Sequence, residues 1–82
     1  MFYVYILASR PNGTLYTGST DDLLNRVVEH REKLSGGFTA KYAVSRLVWY
    51  EVHDSREAAF VRERRIKEWR REWKLDLIKR MN

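Results

Sequence analysis

With 82 residues, 44% of them hydrophobic and 33% charged, the chain has the composition of one small globular domain, which excludes a disordered chain or a pair of domains. The absence of cysteine excludes disulfides, thiolate zinc sites and a cysteine nucleophile. No apolar run approaches the roughly 20 residues that span a bilayer, and the chain opens on a strand pattern without a basic leader, so we expect a cytoplasmic protein with no membrane contact.

The net charge of +5 at pH 7 is concentrated in the last third of the sequence. Residues 1–54 contain six Lys or Arg and six Asp or Glu, whereas residues 55–82 contain ten and five. A basic segment of this kind could attract a polyanion, of which nucleic acid is the commonest in the cytoplasm. The alternation of Arg and Glu is also typical of an ordinary solvated helix face, and on charge alone that interpretation is the stronger one.

The chain begins with two predicted strands joined by a turn. Residues 2–8 and 14–19 are rich in aromatic and β-branched residues, and Asn12-Gly13 suits a tight hairpin loop. A helix is predicted over about residues 21–34, where apolar residues recur at helical spacing and Thr20 or Asp21 can cap the start.

The second half begins with a predicted loop. Ser35-Gly36-Gly37 ends the first helix and opens a loop to Tyr42, after which residues 47–52 have the composition of a third strand. Asp54 and Glu57 resemble a capping box and predict a helix to about residue 71, with a last short helix, or a continuation, over residues 73–81. The predicted order is β-β-α-β-α-α, in the α/β (α+β) class.

Glu63 is the most unusual residue of the long predicted helix. On a helical wheel it lies near the middle of an arc of about 120° that also contains Ala59, Phe60 and Ile66. A carboxylate directed at the core requires a protein partner or a metal ion. An ion pair with Lys67 one turn later, or with an arginine, is the favoured interpretation of Glu63 taken alone.

Five other residues are candidates for a site near the hairpin. Arg26 and His30 share one side of the first helix, where such pairs are ordinarily solvated but could also hold a phosphate or move a proton. Tyr5 and Tyr16 lie on the paired strands, and strand tyrosines are usually part of the core. Gly18 indicates a close approach by another group, because glycine weakens a strand.

In combination these residues resemble the GIY-YIG nuclease family, which is named for two short motifs on paired strands. Tyr3-Val4-Tyr5 stands in place of the first motif and Tyr16-Thr17-Gly18 in place of the second. The helix with Asn25-Arg26 and His30, and the later helix with Ala59 and Glu63, follow the family order. The resemblance covers essentially the whole chain and is closest to the small stand-alone, UPF0213-like members.

The resemblance implies a single domain over residues 1–82, with a small three-stranded antiparallel sheet flanked by helices. Two positions depart from the family pattern. Tyr3 stands where glycine is usual, and no asparagine follows the glutamate helix, where Lys74 is a substitute phosphate contact.

The resemblance also implies an endonuclease that hydrolyses phosphodiester bonds of nucleic acid, DNA being favoured over RNA. Glu63 would hold one divalent metal ion, Mg²⁺ or Mn²⁺. Tyr16 would act as general base if nearby positive charge favours the phenolate, and Arg26 would stabilise charge on the phosphate. Tyr5 and His30 would position water or phosphate, with Gly18 as the motif glycine. The implied nucleic-acid-binding residues are Lys41, Tyr42, Lys67 and Lys74.

Two alternatives remain beside the enzyme. One is a non-catalytic nucleic-acid-binding module, and the other is a nuclease subunit that depends on a homodimer or a protein partner. The second alternative follows from size, because a small domain with few phosphate contacts binds nucleic acid weakly.

Overall fold

The computed structural model describes residues 1–32 and 37–81. Its elements, in chain order, are β1 (Phe2–Ala8), β2 (Leu15–Thr20), α1 (Leu23–Arg31), α2 (Gly37–Lys41), β3 (Arg46–His53), α3 (Arg56–Glu68) and α4 (Arg71–Met81). The predicted fold class and order are confirmed. One short helix, α2, is added where the sequence predicted only a loop.

The sheet is antiparallel, with β1 in the centre and the strand order β2-β1-β3. Tyr5 pairs with Gly18 on one side and with Tyr50 on the other. The turn between β1 and β2 has Asn12 at a φ of 58°, and Ser9 closes it because its side chain accepts a hydrogen bond from the Thr14 amide at 3.0 Å. The register of this hairpin brings both candidate tyrosines to the same face of the sheet.

The two faces of the sheet support two separate cores. On one face Val4 and Ile6 of β1 pack with Ala59 and Ile66 of α3 and with Leu77 of α4. The opposite face carries the buried residues Tyr5, Leu7 and Val44, against which Tyr16, Leu23 and Val27 pack. Successive side chains of a strand point to opposite faces, so odd-numbered residues of β1 belong to one core and even-numbered residues to the other.

The observed start and end of α1 differ from the predicted ones. The N-cap is Asp22, whose side chain accepts a hydrogen bond from the Asn25 amide at 3.2 Å, and not Thr20 or Asp21. The helix ends at Arg31, three residues earlier than predicted. Ser35 and Gly36, predicted to end it, lie outside the described residues.

The predicted capping box of α3 was wrong. Ser55 is the N-cap, because its hydroxyl accepts a hydrogen bond from the Ala58 amide at 3.1 Å. At the other end Trp69 is extended, with a ψ of 153°, so α3 stops at Glu68 and α4 is a separate helix. Phe60, predicted on the core side, is 52% exposed. Over the described part of the chain, neither these nor the other helices have the length and apolar character that a membrane span requires.

Candidate active site

A buried chain of three hydrogen-bonding side chains lies between β1, α1 and α2. The Tyr5 hydroxyl lies 3.2 Å from Nε2 of His30, and Nδ1 of His30 lies 3.0 Å from the Thr39 hydroxyl. A neutral imidazole donates from one nitrogen and accepts at the other, and a hydroxyl can take either role. Both ring nitrogens of His30 are therefore paired within the protein, and its side chain holds Tyr5 in place.

Burial determines the protonation of Tyr5. Its side chain is 2% exposed, and this desolvation is the main reason that the pKa of Tyr5 lies well above its usual range. Tyr16 raises the pKa further and the positive charge of Arg26 lowers it. Glu63 and Glu29 raise it by smaller amounts. Tyr5 is consequently a neutral phenol at ordinary pH.

The imidazole of His30 is likewise held neutral. The residue is 4% exposed, and burial is the first cause that lowers the pKa of His30, followed by the positive charge of Arg26. Glu29 acts in the opposite direction. Arg26 is half-buried and forms an ion pair with Glu29 at 3.6 Å. The two charges that shift the pKa of His30 in opposite directions therefore belong to one ion pair on the same helix.

Gly18 gives Tyr5 the space that its ring occupies. A Cβ atom at position 18 would lie 2.6 Å from the Tyr5 hydroxyl oxygen and 2.8 Å from Cζ, distances that real Cβ atoms do not have. It would also lie 3.0 Å from Cε2 of Tyr16. The close approach that the sequence indicated at Gly18 is therefore made by the two candidate tyrosines.

Tyr16 joins this cluster through its ring. The ring centroids of Tyr16 and His30 are 5.5 Å apart, and those of Tyr16 and Tyr5 are 6.4 Å apart. On its other side Tyr16 meets Phe38 at 6.4 Å. Tyr16 is only partly buried, whereas Tyr5 is enclosed, so Tyr16 is the tyrosine of the pair that reaches solvent.

Glu63 lies at the edge strand β2, on the α3 side of the sheet. One carboxylate oxygen accepts a hydrogen bond from the Ser19 hydroxyl at 2.5 Å, and the other lies 2.6 Å from the Lys67 ammonium. The side chain of Glu63 is 12% exposed. The ion pair with Lys67 that the sequence favoured is present, and the Glu63 charge also acts on Tyr5.

The oxygen atoms around Glu63 fit a hard divalent cation. A carboxylate and a hydroxyl are ligand types that Mg²⁺ and Mn²⁺ accept, with waters filling the remaining positions. The Lys67 ammonium already occupies a cation position beside the carboxylate. Within residues 1–32 and 37–81 no group of three or more His, Asp or Glu side chains is arranged to hold a metal, so the fit is to an ion bound mainly through one carboxylate and water.

The remaining basic and aromatic candidates lie in three places. Tyr42 follows α2 and packs against Phe38 in a tilted arrangement, with ring centroids 4.9 Å apart, and the Lys41 ammonium lies 5.4 Å from the Tyr42 ring centre. Lys67 is paired with Glu63. Lys74 is half-buried on α4, and burial, then the charges of Arg71 and Lys67, lower its pKa.

The structure thus brings some of the candidates together and leaves others apart. Tyr5, Tyr16, Gly18 and His30 are in direct contact. Arg26 lies one turn before His30 on α1, whereas Glu63 lies on the α3 side of the sheet beside Ser19. Lys41 and Tyr42 border the group through Phe38. The sequence missed three partners, namely Ser19, Thr39 and Phe38. Only Ser19 carried a signal, because strand alternation directs the residue after Gly18 to the opposite face.

Comparison with known proteins identifies the family and the relatives of this chain. Residues 1–76 match the family of the GIY-YIG catalytic domain. A UPF0213 protein of Syntrophus aciditrophicus is 44% identical over 81 residues, covering 94% of this chain and 88% of that protein. A UPF0213 protein of Haloquadratum walsbyi is 40% identical over 75 residues, covering 92% and 83%. The solution NMR structure of a UPF0213 protein from Bacillus halodurans has a TM-score of 0.57 and 32% identity, covering 96% of this chain and 84% of that one.

Proposed function

This chain belongs to the GIY-YIG catalytic domain family, and from that premise we propose that it is a metal-dependent endonuclease that hydrolyses phosphodiester bonds of nucleic acid, with DNA as the favoured substrate. The observation that carries the proposal is the cluster of Tyr5, Tyr16 and His30 around Gly18. The charges of Arg26 and Glu63 both act on Tyr5 at the centre of this cluster. We assign Arg26 of α1 and Glu63 of α3 to the same site as this cluster.

The two tyrosines take different roles in this proposal. Tyr5 is a neutral hydroxyl held by His30, so it positions a neighbouring group by hydrogen bonding and does not remove a proton. Tyr16 is partly exposed and can meet an incoming water molecule, which suits a general base. His30 acts on the reaction through the orientation of Tyr5, because both of its nitrogens are already paired.

Arg26 is the cationic group of the cluster. Its guanidinium is half-buried on α1, and its charge influences both Tyr5 and His30. A guanidinium can contact two phosphate oxygens at once and stabilise charge that develops there, and a donor of this kind contributes about 3 kcal/mol in other enzymes. The ion pair with Glu29 is partly exposed and long, at 3.6 Å, so it opens at little cost when a phosphate binds.

Glu63 and Ser19 are the residues that would hold the divalent ion. When bound, such an ion neutralises the scissile phosphate and the leaving oxygen. The carboxylate is kept in position by the Ser19 hydroxyl and by the packing of Ala59 and Ile66 on either side of it along α3. With an ion on Glu63, the Lys67 ammonium would no longer be needed as the partner of the carboxylate and would be available to a phosphate.

The rival is a non-catalytic nucleic-acid-binding module, and one observation favours it. The Glu63 carboxylate already has a protein cation at 2.6 Å, so its burial needs no metal. In that case the same aromatic and basic groups would grip nucleic acid without cutting it.

A cleavage panel separates the two functions. Labelled branched, duplex and single-stranded DNA, with matched RNA, are incubated with the protein in Mg²⁺, in Mn²⁺ and in EDTA, over a range of protein concentrations that reveals dimerisation. We expect metal-dependent cleavage that Glu63→Gln abolishes and that Arg26→Ala slows by about 100-fold or more.

The matched controls are Glu68→Gln on α3 and Arg31→Ala on α1, exposed residues that undergo the same changes of charge on the same helices. Both controls should cut at the wild-type rate. Cleavage that survives Glu63→Gln would refute the metal assignment. Equal binding by wild type and both site variants, without cleavage of any substrate, would establish the binding module.

A further inference from the structure

Two aromatic side chains of the α2 region are exposed to solvent beside the proposed active site. Phe38 is 49% exposed and Tyr42 is 47% exposed, and their ring centroids are 4.9 Å apart. The two residues are four apart in sequence, which places them on one side of this short helical segment. Adjacent exposed rings on a small protein indicate a binding surface more often than scattered apolar residues do.

The exposed pair is continuous with the active-site cluster. The Phe38 ring lies 6.4 Å from the Tyr16 ring with an interplanar angle of 30°, and Tyr16 in turn contacts the Tyr5 and His30 rings. We call Tyr16, Phe38 and Tyr42 the aromatic ladder. It runs from the partly buried proposed general base outward to the protein surface.

Positive charge surrounds the outer end of the aromatic ladder. The Lys41 ammonium lies over the Tyr42 ring at 5.4 Å. Tyr42 also borders a polar cavity of about 640 Å³ whose lining includes Arg10 and Arg71 and, among the described residues, no carboxylate. Arg71 is anchored there because its guanidinium donates a hydrogen bond to the Gly13 carbonyl at the tip of the β1–β2 turn.

We propose that the aromatic ladder and the adjoining arginine-lined cavity bind an unpaired DNA strand that leads into the proposed active site. Flat rings accept unstacked bases on their faces, and flanking cations accept the phosphates, which together are the pattern by which proteins hold single strands. A duplex keeps its base faces stacked on one another and cannot use Phe38 or Tyr42 in this way. The inference rests on the proposed function, because it defines which DNA structure reaches Tyr16.

The test compares binding of a fluorescent oligothymidylate with binding of a blunt duplex of the same length, by anisotropy in EDTA at fixed salt. Phe38→Ala and Tyr42→Ala are each expected to weaken single-strand binding by about five- to 150-fold, the loss of one stacked base. Duplex binding should change less than about twofold in both variants. Arg10→Gln should weaken binding of the single strand. It should also lower the slope of the logarithm of the binding constant against the logarithm of salt concentration by about one.

Phe60→Ala is the matched control, because Phe60 is equally exposed, at 52%, but lies on α3 away from the aromatic ladder. Tyr42→Phe keeps the ring and should bind as the wild type does, whereas Tyr42→Leu keeps apolar volume without a flat ring and should bind like Tyr42→Ala. These two variants decide the question even if an alanine variant unfolds. Wild-type single-strand binding by Phe38→Ala and Tyr42→Leu would overturn the proposal, as would tighter binding of oligouridylate than of oligothymidylate.

Binding and cleavage are measured separately, so the two proposals fail independently. If the protein cuts duplex DNA and the ladder variants bind single strands as the wild type does, the proposed function stands and the aromatic ladder proposal is refuted. If the protein cuts no substrate and Tyr42→Leu loses single-strand binding, the aromatic ladder proposal stands and the endonuclease proposal is refuted.

Discussion

Gly18 is the residue on which the packing of the site depends most directly. Its missing side chain admits the Tyr5 ring, which is enclosed and hydrogen-bonded to His30 and so cannot swing aside. The same observation explains why glycine is tolerated within β2, where it otherwise weakens a strand.

Gly18→Ala is expected to destabilise the protein by about 1–3 kcal/mol, because overpacking forces a buried side chain out of its preferred position. Urea unfolding followed by circular dichroism measures this loss. The matched control is the same substitution in a Tyr5→Leu background, where the atoms that clash are absent and the penalty should shrink. An identical penalty in both backgrounds would show that Tyr5 is not the cause.

His30 makes stability depend on pH. The unfolded chain takes up a proton on this imidazole near pH 6.5, whereas burial lowers the pKa of His30 in the folded state. Between these two pKa values the unfolded state binds more protons, so the free energy of unfolding falls as the pH drops below about 6.5, by at most about 1.4 kcal/mol per pH unit.

We therefore expect the urea midpoint of the wild type to fall between pH 6.5 and 5.5, and His30→Gln to remove much of that fall. His53→Gln is the comparison, since His53 lies on β3 and is paired with Glu51 at 2.8 Å. The fall that comes from His30 should persist in this variant. An undiminished fall in His30→Gln would contradict the assignment of the effect to the buried imidazole.

At the scale of elements, α3 joins the apolar core to the proposed metal site. Ala59 and Ile66 pack into the sheet, and Glu63 lies between them in sequence on a neighbouring line of the same helix. Helical periodicity thus places the Glu63 carboxylate beside β2, where it accepts a hydrogen bond from the Ser19 hydroxyl. Lys67, one turn later, completes an i,i+4 pair with Glu63.

Lys67→Met is expected to tighten Mn²⁺ binding by about two- to fivefold, because the ion no longer has to displace an ammonium group from the carboxylate. Titration calorimetry or the electron paramagnetic resonance signal of free Mn²⁺ measures the affinity without any substrate. Lys79→Met removes the same charge from an exposed position on α4 and should leave the affinity unchanged. An equal gain in both variants would mean that net charge, and not the pair with Glu63, controls metal binding.

At the scale of the whole molecule, the sheet separates the apolar core from the cluster of Tyr5, Tyr16 and His30, while Glu63 lies on the core side at the edge strand β2. α3 and α4 cover one face with aliphatic and tryptophan side chains, while α1 and α2 enclose tyrosines and histidine on the other. The positive charge of residues 55–82 lies on α3 and α4 and on the residues around them. Arg71, which belongs to this basic segment, contacts the β1–β2 turn and lines the cavity that borders Tyr42 of the aromatic ladder.

Much of the architecture follows from local patterns in the sequence. Strand composition, the Asn-Gly turn and helical spacing determine which elements form and their order, because these depend on neighbouring residues alone. The helix ends and α2 were harder to predict. Asp21 and Asp22, or Asp54 and Ser55, are about equally good N-caps, and the choice depends on where each helix docks against the sheet.

The sequence by itself determined which residues are candidates, since Tyr5, Tyr16, Gly18, Arg26, His30 and Glu63 match the motif positions of the family that the sequence resembles. Only the tertiary structure decided their partners. Thr39 contacts His30, nine residues away in sequence, and Phe38 contacts Tyr16, 22 residues away. Ser19 and Glu63 are 44 residues apart. Such contacts arise when separate elements pack around one sheet, and no local pattern of residues specifies that packing.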